Sequence, residues 1–258
     1  LGTGLRSPGA ISVATNQDRW TELRRTAAMA RYLNVEATEI SPGEIKERWP
    51  LAKTDDLVGG IWIPRDSAVG PSDVTLSLAR GARDGGAKIH QGVSVEDLLV
   101  DGDRCVGVRT GDGHEITADN VVLACGMWTR HLAARAGVSV PLMSAEHYYI
   151  VTEPIEGVDA DAPILRDPDG YAYIKPESGG ALLVGMFEPI CRPWPATGER
   201  PPIDKPYITL EPDNDHLFQY LTPSFERVPA LENAGIRLLF NGPESFTPDD
   251  NYILGEAP

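Results

Sequence analysis

The chain has 258 residues, of which 41% are hydrophobic, and its formal net charge at pH 7 is -15. This length and composition are sufficient for one large domain, or for two smaller domains that each have a hydrophobic core. No apolar run approaches the roughly 18 to 20 residues that a membrane-spanning helix needs, and the N-terminal residues lack the pattern of a secretory signal. The acidic excess repels a phosphate backbone, so we expect no nucleic-acid partner.

The spacing of the cysteines and histidines argues against two further kinds of site. Cys105, Cys125 and Cys191 lie far apart and form no CxxC pair, and the histidines show no shared spacing, so neither a metal site nor a disulfide framework is predicted. Buried, reduced thiols are typical of an interior compartment. We therefore expect a cytoplasmic protein, or one of the mitochondrial matrix if the source is eukaryotic.

Apolar periodicity and turn signals predict alternating strands and helices as far as residue 142. In chain order the predicted elements are a strand at 10–14, a helix at 17–33, a short helix from 42 to about 49, a strand at 58–63, a helix at 71–85, strands at 88–90, 93–100, 105–109, 114–118 and 120–124, and a helix at 130–136. Asn16, Ser41 and Ser72 are the expected N-caps. The strand at 120–124 is continuously apolar, which predicts burial on both faces.

From Met143 the pattern changes to short strands separated by Asp, Pro and Gly turns. The predicted elements are strands at 148–152, 162–165, 171–175 and 181–186, a proline-rich irregular loop at 189–206, a helix at 212–220, a strand at 235–240 and a loop at 241–250. The spacing predicts an antiparallel meander instead of further βαβ units.

A possible ligand site follows the strand at 120–124, where Cys125 and Gly126 precede a helix. Glycine at such a turn lets a ligand approach backbone N–H groups, and open α/β sheets bind ligands at these positions. An isolated turn of this kind is more often a plain connection. Whether this turn binds a ligand therefore has to be judged from motifs elsewhere in the chain.

The turn belongs to an ordered series of motifs. These are Arg6-Ser7-Pro8-Gly9 before a strand, Gly70-Pro71 at a helix start, Gly86-Ala87 leading to Val93, Ala124-Cys125-Gly126-Met127-Trp128, Glu146-His147-Tyr148-Tyr149, and Asn241-Gly242-Pro243-Glu244-Ser245-Phe246-Thr247-Pro248-Asp249. The last stretch is the most specific. From near Leu5 to Pro258 the series resembles the glycine-oxidase-like superfamily of FAD-dependent oxidoreductases, within it the dimethylglycine and sarcosine dehydrogenase branch.

The resemblance implies a fold class and a cofactor site. The expected fold is α/β plus α+β, with a partial Rossmann-like FAD-binding domain (58–142 and 239–258) interwoven with an antiparallel-sheet substrate domain (1–57 and 143–238). The residues expected to hold FAD are Val93, Ala124, Gly126, Trp128, Gly242, Pro243, Glu244, Phe246 and Thr247. Glu244 has an alternative interpretation as a brace within its loop.

The substrate residues are expected on two strands. His147 and Tyr149 lie two apart and share a strand face, where an imidazole and a phenol can orient an amine or accept its proton. Tyr171, Tyr173 and Lys175 are expected to share another face, and an ammonium flanked by phenols suits a substrate carboxylate. The first pair also fits ordinary half-buried strand residues, and the second set also fits an ordinary exposed strand face, where lysine is common. Arg166 fits the same cavity or an ion pair with Asp167 or Asp169.

By resemblance, the expected reaction is FAD-dependent oxidation of dimethylglycine or sarcosine by hydride transfer, with the iminium product captured by water or by tetrahydrofolate bound beyond Pro258. The electron acceptor stays open. The Gly2-x-Gly4 stretch does not fit the GxGxxG fingerprint, so we predict that this chain is a fragment that by itself lacks half of its FAD site. The alternatives are a non-catalytic regulatory relative and an amino-acid oxidase of the same superfamily.

Overall fold

The computed structural model describes residues 2–196, 199–205 and 207–257. The chain forms two compact units. Unit 1 consists of Leu1–Ala87, Tyr148–Pro189 and Glu211–Phe240, and unit 2 consists of Lys88–His147, Ile190–Leu210 and Asn241–Pro258. These units are defined by compactness, whereas the predicted domains are defined by the ligand each would hold. The assignment of domains to cofactor and substrate therefore stays a prediction.

The secondary structure of the described residues alternates as the sequence predicts in most places. The strands are β1 (Ala10–Ala14), β2 (Thr38–Ile40), β3 (Gly59–Ile63), β4 (Val95–Asp101), β5 (Arg104–Thr110), β6 (Glu115–Thr117), β7 (Met143–Thr152), β8 (Ile164–Asp167), β9 (Ala172–Glu177), β10 (Ala181–Met186) and β11 (Ile236–Phe246). The α-helices are α1 (Gln17–Tyr32), α2 (Pro42–Arg48), α3 (Pro71–Asp84), α4 (Thr129–Ala134) and α5 (Asn214–Arg227). Short 3-10 helices lie at Gly126–Trp128 and Pro229–Asn233.

Helix starts follow local capping chemistry. The Asn16 side chain accepts the N–H of Arg19, and Ser41 with Glu44 forms the predicted capping box. The prediction of Ser72 as a cap was wrong, because the N-cap of helix α3 is Gly70, two residues earlier. Pro71 at the first helical position has a fixed φ that suits a helix start and needs no N–H partner, so it sets the boundary.

The larger sheet confirms the predicted antiparallel meander. Strand β10 pairs antiparallel with β7 and with β9, and β9 pairs antiparallel with β8. Beyond the meander, β8 pairs parallel with β1, which pairs antiparallel with β3. In the described part of the chain the strand order is β11-β7-β10-β9-β8-β1-β3-β2. The sheet is therefore mixed, as the combination of α/β and α+β features predicts.

Helix α5 covers one face of this sheet in unit 1. Its buried Leu217, Tyr220 and Leu221 belong to the same hydrophobic cluster as Ile174 and Val184 of strands β9 and β10. Burial alternates along β9, with Ala172, Ile174 and Pro176 buried and the residues between them half-buried. Because successive strand side chains point to opposite faces, Tyr173 and Lys175 lie on the face away from α5. We call this face of β9 and its paired strands the substrate face, after the role that the sequence predicts for Tyr173 and Lys175.

The buried end of α5 is held by an ion cluster. The helix was predicted to end at residue 220, but it continues through Pro223 to Arg227. The Arg227 guanidinium donates through Nε to Asp167 at 2.7 Å and through Nη1 and Nη2 to Asp56 at 2.9 and 2.8 Å. These hydrogen bonds hold the pKa of Asp56 below its ordinary value. The cluster ties α5 to strand β8, because a lone buried charge here would be costly.

Unit 2 contains the three-stranded antiparallel sheet β4-β5-β6, in which the predicted Gly111-Asp112-Gly113 turn joins β5 to β6. Two predicted strands were wrong: residues 88–90 and 120–124 are outside the strands, and Val122 is 85% exposed. A strand exists only as part of a hydrogen-bonded ladder, and the described residues offer these stretches no partner strand. Apolar composition alone could not reveal this.

The last residues of strand β11, which belong to unit 2, differ from the sequence prediction. Residues Asn241–Phe246 were expected to form a loop, but they continue strand β11. Asn241 is fully buried, its Nδ2 donates to Glu146 Oε2 at 2.9 Å, and its carbonyl accepts the N–H of Leu210 at 2.8 Å. These hydrogen bonds satisfy groups that a loop would leave to water.

In the described part of the chain, no helix has the length and apolarity to cross a membrane.

Candidate functional site

A cavity of about 530 Å³ in unit 2 brings together two segments that are far apart in the sequence. One is the turn after residue 122, and the other is the end of β11 with the residues that follow it. Its walls include Ala124, Gly126, Glu244, Phe246, Thr247 and Tyr252. The first five were predicted as cofactor residues. The structure therefore places part of the predicted cofactor set around one cavity.

The glycine turn leaves this cavity accessible to a ligand. Gly126 has a φ of +53°, in the left-handed region that glycine adopts without strain, and a Cβ atom placed there would meet no atom within 4 Å. The turn is held by a hydrogen bond from the N–H of Cys125 to Oγ1 of Thr129, 3.2 Å long. Open space beside an exposed backbone is the arrangement that a flat, polar-edged ring can enter. The open backbone at this turn is compatible with the flavin that the motifs predict, and the individual flavin contacts stay predictions.

His147 lies beside the cavity wall. Its Nε2 is 3.5 Å from Oε2 of Glu244, and its ring meets that of Phe246 edge to face, with centroids 6.4 Å apart. The His147 side chain is 21% exposed. Because Glu244 and Phe246 both line the cavity, His147 contacts the cavity wall, and its role toward a ligand stays a prediction. Its contact with Glu244 becomes an ion pair whenever the imidazole is protonated.

The other predicted cofactor residues do not line this cavity. Gly242 is buried and Pro243 half-buried within strand β11, and Val93 lies in the irregular stretch before β4. The indole N–H of Trp128 donates to the carbonyl of Pro202 at 3.0 Å. Trp128 therefore braces the proline-rich loop, and its predicted flavin contact, like those of the other three, stays a prediction.

Two tyrosines define a second arrangement, on the substrate face of unit 1. Tyr149 of β7 pairs with Gly185 of β10, and Gly185 pairs with Tyr173 of β9. Directly opposed residues of antiparallel strands share a face, so both phenols lie on the same side of the sheet. The Tyr149 ring stacks on Phe240 at 4.9 Å. This aromatic neighbour was not predicted, because a cross-strand contact leaves no signal in a single sequence.

Tyr171 is not part of this arrangement, contrary to the expectation that it shares a face with Tyr173 and Lys175. It precedes strand β9 with a φ of 55°, and its ring meets Tyr220 of helix α5 edge to face at 5.7 Å. The turn before β9 breaks the strand alternation on which the expectation depended. Lys175 keeps its place on the substrate face, but its Nζ lies 2.5 Å from Glu177 Oε1, which sequence reasoning did not consider.

Arg166 lies opposite Tyr173 in the sheet and extends the same row. Its Nη2 is 3.8 Å from Oδ2 of Asp66. The two partners considered from sequence are engaged elsewhere: Asp167 contacts Arg227, and Asp169 contacts Arg19. Arg166 therefore pairs with an aspartate that the sequence did not suggest, and its place at the substrate cavity stays a prediction.

The remaining histidines have structural surroundings. The ring of His216 packs between Tyr148 and Tyr220, and His114 Nδ1 lies 3.1 Å from Asp112 Oδ1 on the surface. Burial, followed by the positive charges of Arg130 and Arg200, lowers the pKa of His131. Among the described residues, no group of His, Cys, Asp and Glu side chains is arranged to hold a metal ion.

The mixed sheet and the separate antiparallel sheet are consistent with the flavin-dependent oxidoreductase fold that the motifs predict. Residues 1–258 match the family described as "FAD dependent oxidoreductase", and the chain belongs to that family. The resemblance inferred from the motifs is therefore confirmed.

Three curated relatives match along the whole chain. The chain is 39% identical over 257 residues to 4-methylaminobutanoate oxidase (formaldehyde-forming) of Paenarthrobacter nicotinovorans, of which it covers 31%. It is 34% identical over 263 residues to mitochondrial sarcosine dehydrogenase of Mus musculus, covering 28%. It is also 34% identical over 261 residues to the mitochondrial pyruvate dehydrogenase phosphatase regulatory subunit of Mus musculus, covering 29%. The chain thus spans less than a third of the length of these relatives.

Solved structures have the same fold. L-proline dehydrogenase from P. horikoshii superimposes with a TM-score of 0.85 at 23% identity, over 99% of this chain and 65% of that one. Glycine oxidase from Geobacillus kaustophilus superimposes with a TM-score of 0.77 at 26% identity, over 99% of this chain and 64% of that one. These superpositions agree with the predicted fold class.

Proposed function

We propose that this chain forms the substrate face and part of the flavin cavity of an enzyme that oxidises a small N-methylated amino acid, dimethylglycine or sarcosine. The observation that carries the proposal is the meeting of His147, Glu244 and Phe246 at the cavity that Ala124 and Gly126 also line. A proton-handling side chain next to a cofactor-sized cavity is the arrangement that oxidation of an amine requires.

The cavity residues would hold the flavin. FAD, when bound, supplies the acceptor for the hydride equivalent removed from the substrate. Ala124 and Gly126 would contact it through backbone atoms, and Glu244, Phe246 and Thr247 would wall the cavity. In this proposal the FAD domain comprises 58–142 and 239–258, and Val93, Trp128, Gly242 and Pro243 complete the FAD contacts.

Side chains of the two strands would prepare the substrate. An amine loses a hydride readily only when its nitrogen lone pair is free, so a neighbouring imidazole or phenol must accept or redirect the ammonium proton. His147, Tyr149 and Tyr173 are the groups we assign to this task, and Lys175 would hold the carboxylate. Tyr171, whose ring contacts the helix, keeps at most a supporting role in shaping the turn before Tyr173.

The products follow from the chemistry. Removal of a hydride from the N-methyl carbon leaves an iminium, and addition of water splits it into formaldehyde, a proton and the demethylated amine. The name of the bacterial relative, a formaldehyde-forming oxidase, supports this route. Capture of the one-carbon unit by tetrahydrofolate is the second fate we propose. An interior compartment is part of the same proposal, since the sarcosine dehydrogenase relative is mitochondrial by name.

The test uses the full-length protein that contains this chain, purified with FAD. Anaerobic mixing with dimethylglycine, sarcosine or 4-methylaminobutanoate should bleach the flavin absorbance, and aldehyde trapping should recover one formaldehyde per flavin reduced. Adding tetrahydrofolate should lower the trapped formaldehyde if folate captures the one-carbon unit. Unchanged flavin absorbance with every N-methylated amino acid would refute the proposed activity.

A second candidate function is a regulatory subunit without catalysis. It is favoured by the 34% identity to the pyruvate dehydrogenase phosphatase regulatory subunit, which spans the whole chain. The same anaerobic experiment separates the two, because a regulatory protein can bind FAD without any reduction by amines. An amino-acid oxidase is the third candidate, supported by the fold shared with glycine oxidase. Fast reoxidation by molecular oxygen as sole acceptor would favour it over a dehydrogenase.

A further inference from the structure

We propose that Gly185 is a positioning residue, whose missing side chain lets the Tyr173 ring lie across strand β10 toward Tyr149. The inference rests on the proposed function, in which Tyr173 handles the substrate amine. Gly185 has no motif or charge that would draw attention to it in the sequence. Its proposed importance comes entirely from the Tyr173 side chain, which lies against it.

The space beside Gly185 is filled by the Tyr173 side chain. A Cβ atom built on Gly185 would lie 2.1 Å from Cζ and 2.4 Å from Oη of Tyr173, distances that real Cβ contacts essentially never show. The part of Tyr173 that occupies this space is therefore the hydroxyl end of the ring. That end carries the only group of Tyr173 that can exchange a proton.

The sheet register fixes the direction in which the ring points. Gly185 lies between Tyr173 on one side and Tyr149 on the other, and the neighbouring Val184 faces the core under helix α5. Gly185 therefore faces the substrate side. Because the Tyr173 hydroxyl lies against Gly185 of β10, the side chain extends beyond its own strand β9 in the direction of β7. Phe187, whose ring is 5.4 Å from that of Tyr173, flanks it.

Backbone geometry does not explain the glycine. The φ of Gly185 is outside the left-handed region, so an alanine would fit the backbone at this position. Glycine inside a strand is unfavourable because it loses more backbone freedom on folding and packs no side chain. The close approach of Tyr173 is the feature that accounts for it. An added methyl group must push the phenol off the strand, since χ1 and χ2 are the only rotations a tyrosine ring has.

This displacement predicts a kinetic defect that exceeds the effect on stability. The Tyr173 ring is half-buried, so moving it toward solvent costs less than moving a core ring, whereas a misplaced proton-handling group slows chemistry strongly. We expect Gly185→Ala to lower the rate of flavin reduction at saturating substrate by about tenfold to a hundredfold. Its melting temperature should stay close to that of the wild type. Gly81→Ala is the matched control, since Gly81 lies in helix α3 with no atom within 4 Å of its added Cβ.

A double-mutant cycle in the full-length FAD-loaded enzyme tests the proposal. Tyr173→Phe and Tyr173→Ala should each slow flavin reduction, and Gly185→Ala should cause no further loss in the Tyr173→Ala background, where the methyl group has room. The pH profile of the reduction rate in Gly185→Ala should resemble that of Tyr173→Phe. If Gly185→Ala alone fails to fold, the double variant still reports the comparison with Tyr173→Ala.

The outcomes separate the inference from the proposed function. Multiplying losses in the double variant would overturn the inference, because Gly185 would then act independently of Tyr173. A wild-type rate for Gly185→Ala beside a slow Tyr173→Phe would also overturn it, while leaving the function intact. Wild-type rates for both Tyr173 variants would instead remove Tyr173 from the proposed function.

Discussion

The rings of His147 and Phe246 meet edge to face, with an interplanar angle of 72°. One residue comes from the middle of the chain and the other from near its end, and the sequence predicts that His147 faces the substrate and Phe246 the flavin. Their contact is one of several between the predicted substrate strand β7 and the predicted flavin segment in β11.

Replacing Phe246 by Leu keeps an apolar side chain at the cavity but removes the ring that contacts His147. Aromatic pairs contribute about 0.5–1.5 kcal/mol beyond burial, so His147 should become less well ordered and flavin reduction should slow about tenfold. FAD content and the reduction rate are the measurements. Phe218→Leu is the control, because Phe218 is half exposed on helix α5 and does not line the cavity. Equal flavin-reduction rates for Phe246→Leu and Phe218→Leu would contradict the proposed role of the contact between Phe246 and His147.

Replacing Tyr149 by Phe removes only a hydroxyl. The stacked contact with Phe240 persists, so the fold should be unaffected, while turnover with an N-methylated amino acid should fall about tenfold or more. Steady-state kcat and the melting temperature are measured together. Tyr32→Phe, at a tyrosine that is 81% exposed, controls for the loss of a phenol elsewhere. An unchanged kcat would exclude Tyr149 from the site.

The contact between Lys175 and Glu177 predicts opposite effects of two substitutions. Lys175→Met should raise KM severalfold with little change in kcat, because it removes a carboxylate partner used in substrate binding. Glu177→Gln should lower KM, since it releases the Lys175 ammonium from a competing carboxylate. Substrate methyl esters, which lack the carboxylate charge, should be insensitive to both changes. Lys88→Met, at an exposed lysine, is the control. A KM effect that persists with the ester would argue against carboxylate binding.

The Arg227 cluster predicts a pH-dependent stability. Hydrogen bonds from Arg227 lower the folded-state pKa of Asp56 below 3.8, so its stabilising effect is present above that value and is lost as the pH falls through the lower folded pKa. Asp56→Asn should lower Tm near neutral pH by about 2–4 °C, an effect limited by the partial exposure of Asp56. The difference from wild type should shrink below pH 3.8. Asp55→Asn, whose side chain is 79% exposed, should show no such dependence.

Local signals account for the elements that were predicted well. Strand β1 and the N-caps at Asn16 and Ser41 depend on neighbouring residues only, so the sequence contains the information needed to place them. The wrong strand at 120–124 depended on a ladder partner, which composition does not reveal.

The same distinction applies to the candidate site. The cavity residues were found through a motif, because one continuous stretch carries Glu244, Phe246 and Thr247. The errors arose where non-local geometry decides. Tyr171 was assigned to the wrong face because the preceding turn gives it a positive φ, and Gly185 was overlooked because its meaning depends on a ring from another strand.

The two hydrogen bonds that the Asp167 carboxylate accepts limit which substitutions the protein can tolerate. One oxygen of this carboxylate accepts the N–H of Gly170 in the turn before β9, and the other accepts the Arg227 guanidinium at the end of α5. Engineering for heat resistance that repacks α5 would therefore disturb the loop from which the Tyr173 strand starts. Directed evolution should find its tolerated core substitutions among those that leave this shared carboxylate in place, and activity should decline first in lineages that lose it.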